Sequence, residues 1–297
     1  MLPCCRSMSR LKVVVGRFMR RVRLPGTELF VSRFSFGTAG LFNAGTSKMR
    51  ADLLAAAYDN GFTHYDTAPY YGFGTAESDL RPLMRAHPDI TVATKVGIYS
   101  PGGEAQSDAL VLLRKAAGKV LPSLSRPMVD WTVTRAKVAL TASLRRLGRE
   151  FVDLYLLHEP ELSLLNTEEW LAWLESERDR VRYFGIAVHA DRLRPFISRA
   201  CPLAPVVQTL DSIAGQEANI LTEYSRPMQI TYGYVSAAKR AGLMDVPAVL
   251  AASLRRNATG TVIISTRKVR RLRQYAEISL SICETDSSPC LMLPRDS

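Results

Sequence analysis

Eight short apolar segments, near residues 33 to 38, 63 to 66, 91 to 96, 152 to 158, 182 to 188, 205 to 209, 228 to 232 and 261 to 265, recur along the chain with helix-like stretches between them. Strands separated by helices run parallel, because a crossover helix returns the chain to the same end of the sheet. Eight such units predict an α/β fold, a (β/α)8 TIM barrel. Helix signals agree: one helix spans residues 49 to 60, and a second, over 166 to 180, opens with Asn166 and Glu169 at the N-cap and N3 positions. Pro247 suits the first turn of a helix running through Arg256. Neither internal repeats nor an interdomain linker interrupt the pattern, so residues 19–297 are expected to form one barrel, preceded by a basic tail over residues 1–18 that is disordered or a non-native start.

A chain of 297 residues with 47% hydrophobic content can bury the core of such a barrel. No apolar run approaches the ~20 residues of a membrane helix, so no membrane role is expected. The five cysteines, Cys4, Cys5, Cys201, Cys283 and Cys290, show neither metal-site spacing nor a disulfide ladder, which predicts no metal and a reducing, cytoplasmic setting. The formal charge of +11 suggests nucleic acid, but residues 1 to 27 hold seven basic residues and no acidic one; without them the other 270 residues carry +4, and no nucleic-acid partner is needed. That acid-free, Arg-rich tail itself has the composition of an organelle transit peptide.

Asp66 and Tyr71 stand five residues apart, and Lys95 and His158 each end a later apolar run. Function in α/β barrels gathers at the C-terminal ends of the strands, so these four groups are expected on one rim. A phenol ordinarily titrates near ~10, and an ammonium beside its oxygen lowers that value, a role open to Lys95; a carboxylate, Asp66, keeps the ammonium charged. His158 can donate to the same substrate oxygen. This chemistry is carbonyl reduction or alcohol oxidation, and since no side chain here carries a hydride, a nicotinamide cofactor is implied. Its phosphates are expected where the strand ending in Ser265 and Thr266 meets the basic run from Arg267 to Arg273. A Schiff-base aldolase built on Lys95 would leave Tyr71 and that run unused.

On these residues the chain resembles the aldo-keto reductases, from about Val22 onward. Leu24 to Arg33 is similar to the family's opening β-hairpin, followed by Phe36-Gly37-Thr38. Asp66-Thr67-Ala68 to Tyr71-Gly72 with Glu77, Thr94-Lys95-Val96-Gly97, and Val152 to His158 resemble its catalytic segments. The resemblance implies an NADPH-dependent reductase of small aldehydes or ketones, or a dehydrogenase of the matching alcohols, with Tyr71 as proton donor. A nucleotide-binding regulatory or redox-sensing barrel with little turnover is the alternative. It implies NADPH over NADH, with Thr266 and Arg271 at the family's five-residue phosphate interval, Ser265 where many members have lysine, and Arg267 to compensate. Gly37 and Thr38 would approach the cofactor ribose, with Asp66 shared between the catalytic and cofactor sets. Gln208 would hold the carboxamide, Tyr232 would stack on nicotinamide, and Gln274 with Tyr275 would stand near the adenine. His189 is a further candidate for reaching the cofactor. Ala187 and Val188 replace residues that usually bind the carboxamide. Met19 resembles where many members begin, which gives the tail a second reading as an upstream start. The stretch from 99 to 129 is expected either to cover the substrate or to be a packed surface insertion, and monomer is the default state.

Overall fold

The computed structural model describes residues 19–104, 106–118, 126–243 and 245–285. The basic tail and four of the five cysteine side chains lie outside what is described, and Cys201 is free and buried. Strands β1 (Arg21–Arg23) and β2 (Phe30–Ser32) pair antiparallel as the expected hairpin. The barrel begins with β3 (Phe34–Gly37), α1 (Ser47–Asp59), β4 (His64–Asp66), α2 (Thr75–Ala86) and β5 (Thr91–Val96). An excursion follows: β6 (Ile98–Tyr99), α3 (Asp108–Ala117) and β7 (Met128–Val129). The chain then continues through α4 (Val133–Leu147), β8 (Val152–His158), α5 (Thr167–Ser176), β9 (Val181–Val188), α6 (Ala190–Ser198), β10 (Val206–Leu210) and α7 (Asn219–Glu223). It ends with β11 (Ile230–Tyr232), α8 (Tyr234–Arg240), α9 (Val246–Arg256), β12 (Thr261–Ile264) and α10 (Arg270–Thr285). Strands β3, β4, β5, β8, β9, β10, β11 and β12 form a closed parallel barrel in that order, β12 pairing with β3. This is the expected (β/α)8 architecture.

Parallel strands buried on both faces explain the continuous apolar runs. One side chain of each successive pair points inward, the other toward the helices. Inside, Ala93, Leu154, Leu156, Ala187, Val206 and Ile230 meet Leu24, Leu29 and Val31 of the hairpin segment. The hairpin is tied to the strands' N-terminal ends: Glu28 N–H donates to Tyr183 Oη at 3.0 Å and Gln229 Nε2 to the Pro25 carbonyl at 2.8 Å. It therefore plugs the bottom mouth and leaves the C-terminal mouth open. Outside, a second layer including Phe34, Phe36, Tyr65 and Trp170 packs between strands and helices; each such side chain stabilises the fold by about 1.5–3 kcal/mol.

Local chemistry sets the helix ends. Thr46, Thr132, Asn166 and Asp245 each accept a backbone N–H at the start of α1, α4, α5 and α9, and Pro247 stands in the first turn of α9 as expected. Two details differ from the sequence reading. Helix α5 stops at Ser176 rather than 180: Glu177 caps it with non-helical dihedrals, its N–H donating to the Leu174 carbonyl at 3.2 Å. The excursion after β5 also contains the β6–β7 ribbon, whose two-residue strands are too short to show a period.

Candidate active site

At the open mouth, Gly37, Asp66, Tyr71, Lys95, His158, Gln208, Tyr232, Ser265 and Arg271 line one cleft of about 480 Å3. Asp66 and Lys95 end adjacent strands and face each other. Lys95 Nζ donates to Asp66 Oδ2 at 2.6 Å and to the Thr67 carbonyl at 2.9 Å, with Lys95 only 1% exposed. Burial pulls the Lys95 ammonium below its ordinary value while the Asp66 carboxylate opposes that pull. Beneath them Glu77, fully buried, accepts from Thr94 Oγ1 at 2.6 Å and from Arg146 Nε at 2.7 Å, which fastens β5 to α2 and α4.

Tyr71 starts a turn in which Gly72, Phe73 and Gly74 all take positive φ, 59°, 55° and 89°. At Gly74 a Cβ would collide with the Glu104 carbonyl, so only glycine fits. Phe73 is held in its left-handed conformation by burial with Phe42 and Val111. The turn presents the half-buried Tyr71 ring to Lys95, whose Nζ lies 4.8 Å from the ring centroid, and edge-on to His158 at 6.0 Å. For the Tyr71 phenol the net shift is opposite to the lowering expected from Lys95 alone. Burial, followed by the Asp66 and Glu159 carboxylates, raises it well above its usual value, and the phenol is held neutral. Two of the three Lys95 donors go to Asp66 and Thr67. His158 is pushed down to about 3 by burial and by Lys95, so it is a neutral imidazole, and its Nδ1 has no hydrogen-bond partner among the described residues. Its backbone carbonyl accepts from Trp131 Nε1 at 3.0 Å.

Across the cleft, Gln208 is 4% exposed and its Oε1 lacks a partner among the described residues. The Tyr232 ring meets His189 edge-on at 6.2 Å, and Ser265 Oγ donates to the Gly37 carbonyl at 2.8 Å. Arg271 also borders the cleft. Four expected cofactor residues stand outside the lining. Thr38 spends its hydroxyl on the Asp66 carbonyl at 2.9 Å, Thr266 Oγ1 accepts from Lys268 N–H at 3.1 Å, and Arg267 and Gln274 are exposed. Tyr275 is buried, borders the cleft and packs 6.3 Å from the Phe34 ring. Within the stretch from 99 to 129, the start of α3 is anchored by Arg50, 2% exposed, which bonds both Asp79 and Asp108. Sequence reasoning missed Glu159, Tyr234, Ser236 and Lys239, which line the same cleft. For Glu159 a signal existed, since it directly follows His158 at a strand end. Among the described residues no His, Cys, Asp or Glu cluster could hold a metal, and no helix is long and apolar enough to cross a membrane.

Residues 33–196 match the model of the Aldo/keto reductase family. D-threo-aldose 1-dehydrogenase from a Pseudomonas species is 31% identical over 139 residues, 45% of this chain and 41% of that protein. The NADH-specific methylglyoxal reductase of Escherichia coli is 28% identical over 194 residues, 60% of this chain and 55% of that protein. The chain thus spans about half the length of these curated relatives. An aldo-keto reductase of Klebsiella pneumoniae, solved in complex with NADPH, superposes with a TM-score of 0.61 at 17% identity, covering 88% of this chain and 89% of that one.

Proposed function

The chain belongs to the aldo/keto reductase family, and on that premise we propose that it interconverts small aldehydes or ketones with their alcohols, using a nicotinamide cofactor and Tyr71 as proton donor. The observation that carries this reading is the buried Lys95–Asp66 pair at 2.6 Å on the cleft floor, with the neutral Tyr71 phenol and neutral His158 imidazole above it. A proton donor must hold its proton until the oxygen gains charge, and burial keeps that proton on Tyr71 at neutral pH. The Lys95 ammonium, kept charged by Asp66, stabilises the phenolate left after transfer. His158 offers a ring N–H to orient the carbonyl oxygen.

The cleft fits a nicotinamide nucleotide. Gln208 Oε1, buried and unpartnered, suits an amide donor; the Tyr232 ring offers a stacking face; and Arg271 and Lys239 form no ion pair among the described residues, which leaves them for phosphate. When bound, that cofactor supplies or takes up the hydride. Arg271, beyond Ser265 and Thr266, favours a 2′-phosphate and therefore NADPH over NADH. The E. coli relative's specificity for NADH makes the choice an experimental one. Mixing the protein with NADPH or NADH and a panel of carbonyl compounds that includes 4-nitrobenzaldehyde and small sugars, while following cofactor absorbance, tests the reading. Turnover that is faster with NADPH is expected. Binding of cofactor without turnover of any carbonyl or alcohol would favour the regulatory reading instead.

A further inference from the structure

The cleft wall between the ends of β8 and β10 has an unusual distribution of polar groups. Ala187 lines it and offers no side-chain hydrogen bond, while Val188 is fully buried and outside the lining. The polar side chains of this wall are Glu159, His189 and Gln208. Glu159 is held firmly. Its φ is 49°, a conformation side-chain-bearing residues adopt only when the surroundings impose it. Its N–H donates to the Ala187 carbonyl at 2.8 Å, its own carbonyl accepts from Arg192 Nη1 at 3.1 Å, and its Oε2 accepts the His189 backbone N–H at 3.0 Å. Oε1 has no partner among the described residues. The His189 ring in turn stands edge-on to Tyr232, so carboxylate, imidazole and phenol form one continuous surface facing the cleft.

A primary carboxamide presents two N–H donors and one carbonyl acceptor. The wall presents two free acceptors, Gln208 Oε1 and Glu159 Oε1. We propose that Glu159 is a nicotinamide-positioning residue whose carboxylate accepts a hydrogen bond from the carboxamide amine, on the wall that Ala187 and Val188 leave without polar side chains. The inference rests on reading the cleft as a nicotinamide site. A hydrogen bond to a charged acceptor is stronger than one to a neutral amide, so the Glu159 contact offsets the two side chains that offer none.

The test uses equilibrium fluorescence titration of the full chain with NADP+ and with 3-acetylpyridine adenine dinucleotide phosphate, in which a methyl group replaces the amine. Glu159→Ala is expected to weaken NADP+ about tenfold and the analogue by less than about twofold. Glu159→Gln, which keeps an acceptor oxygen, should recover most of the loss. Equal weakening of both nucleotides, or none, overturns the proposal and leaves Glu159 as a support for the start of α6. Wild-type protein carries its own control if Glu159→Ala does not fold: it should bind NADP+ at least about tenfold more tightly than the analogue, and parity also overturns the proposal. Wild-type protein that binds neither nucleotide would instead reject the reading of the cleft.

Discussion

The two arcs of the rim follow opposite electrostatic plans. On the arc from β4 to β8, the charges at the cleft are answered within the protein: Lys95 by Asp66, and behind them Glu77 by Arg146. On the arc from β11 to α10, Lys239, Arg267, Lys268, Arg270 and Arg271 form no ion pair among the described residues, and most are exposed. The first arc is preorganised, its geometry complete before any ligand arrives. The second has charge without partners, which is what an anionic ligand requires. Substitutions on the first should therefore register in chemistry and folding, and those on the second in binding.

The sharpest way to break this contrast is Tyr71→Phe, which keeps the ring and removes the proton. Single-turnover reduction should slow by at least about 10²-fold with NADPH affinity nearly unchanged; wild-type turnover would remove Tyr71 from its assigned role. Asp66→Ala comes next. It strands the Lys95 ammonium in a buried site, and urea denaturation should show a loss of about 3–5 kcal/mol. A loss under 1 kcal/mol would mean that the pair is dispensable to the fold, and the contrast would fail on its first arm. Arg271→Ala should do the reverse, leaving the urea midpoint in place while weakening NADPH by about 1.5–3 kcal/mol and NADH much less. Equal losses for the two nucleotides would assign Arg271 to a shared phosphate.

The last effect is a slope rather than a step, and it concerns pH. His64 and His158 are buried neutral, each lowered from 6.5 to about 3, His64 by burial first and Lys95 second. The unfolded chain takes up these protons near pH ~6.5 while the folded chain does not, so stability is full above that value and declines as pH falls toward 3, by up to about 1.4 kcal/mol per pH unit for each imidazole. His64→Asn, which can still donate to Thr91 as Nδ1 now pairs with its Oγ1 at 2.8 Å, should flatten the slope by one proton. An unchanged slope would show that other groups govern acid unfolding.

The same contrast explains what was legible in sequence. All eight barrel strands stand within about two residues of expectation, because parallel strands buried on both faces write unbroken apolar runs. Asp66, Tyr71, Lys95 and His158 meet in one cleft because strand ends converge there and strand ends are readable. Side-chain orientation on the second arc and just after β3 was less legible. Thr38, Thr266, Arg267 and Gln274 fall outside the cleft since their orientation depends on loop geometry, and Thr38 and Thr266 use their hydroxyls on backbone groups. Lys239 lies inside α8, where a lone cation in sequence looks like any solvated residue. The net direction of the Tyr71 shift was not legible, because charge proximity can be guessed from spacing whereas depth of burial cannot.

Closure of the ring sets when the cleft can form during synthesis. Strand β12 pairs with β3, and Ser265 reaches the Gly37 carbonyl across 228 positions of sequence. A nascent chain that has emerged only through β11 carries both the β3 and β11 edges unpaired, templates for pairing with other chains. The final strand removes both edges at once and brings Ser265 and Arg271 to the mouth in the same event. On the proposed function, competence to bind nucleotide thus appears together with protection from aggregation, and a chain that ends before residue 261 has neither.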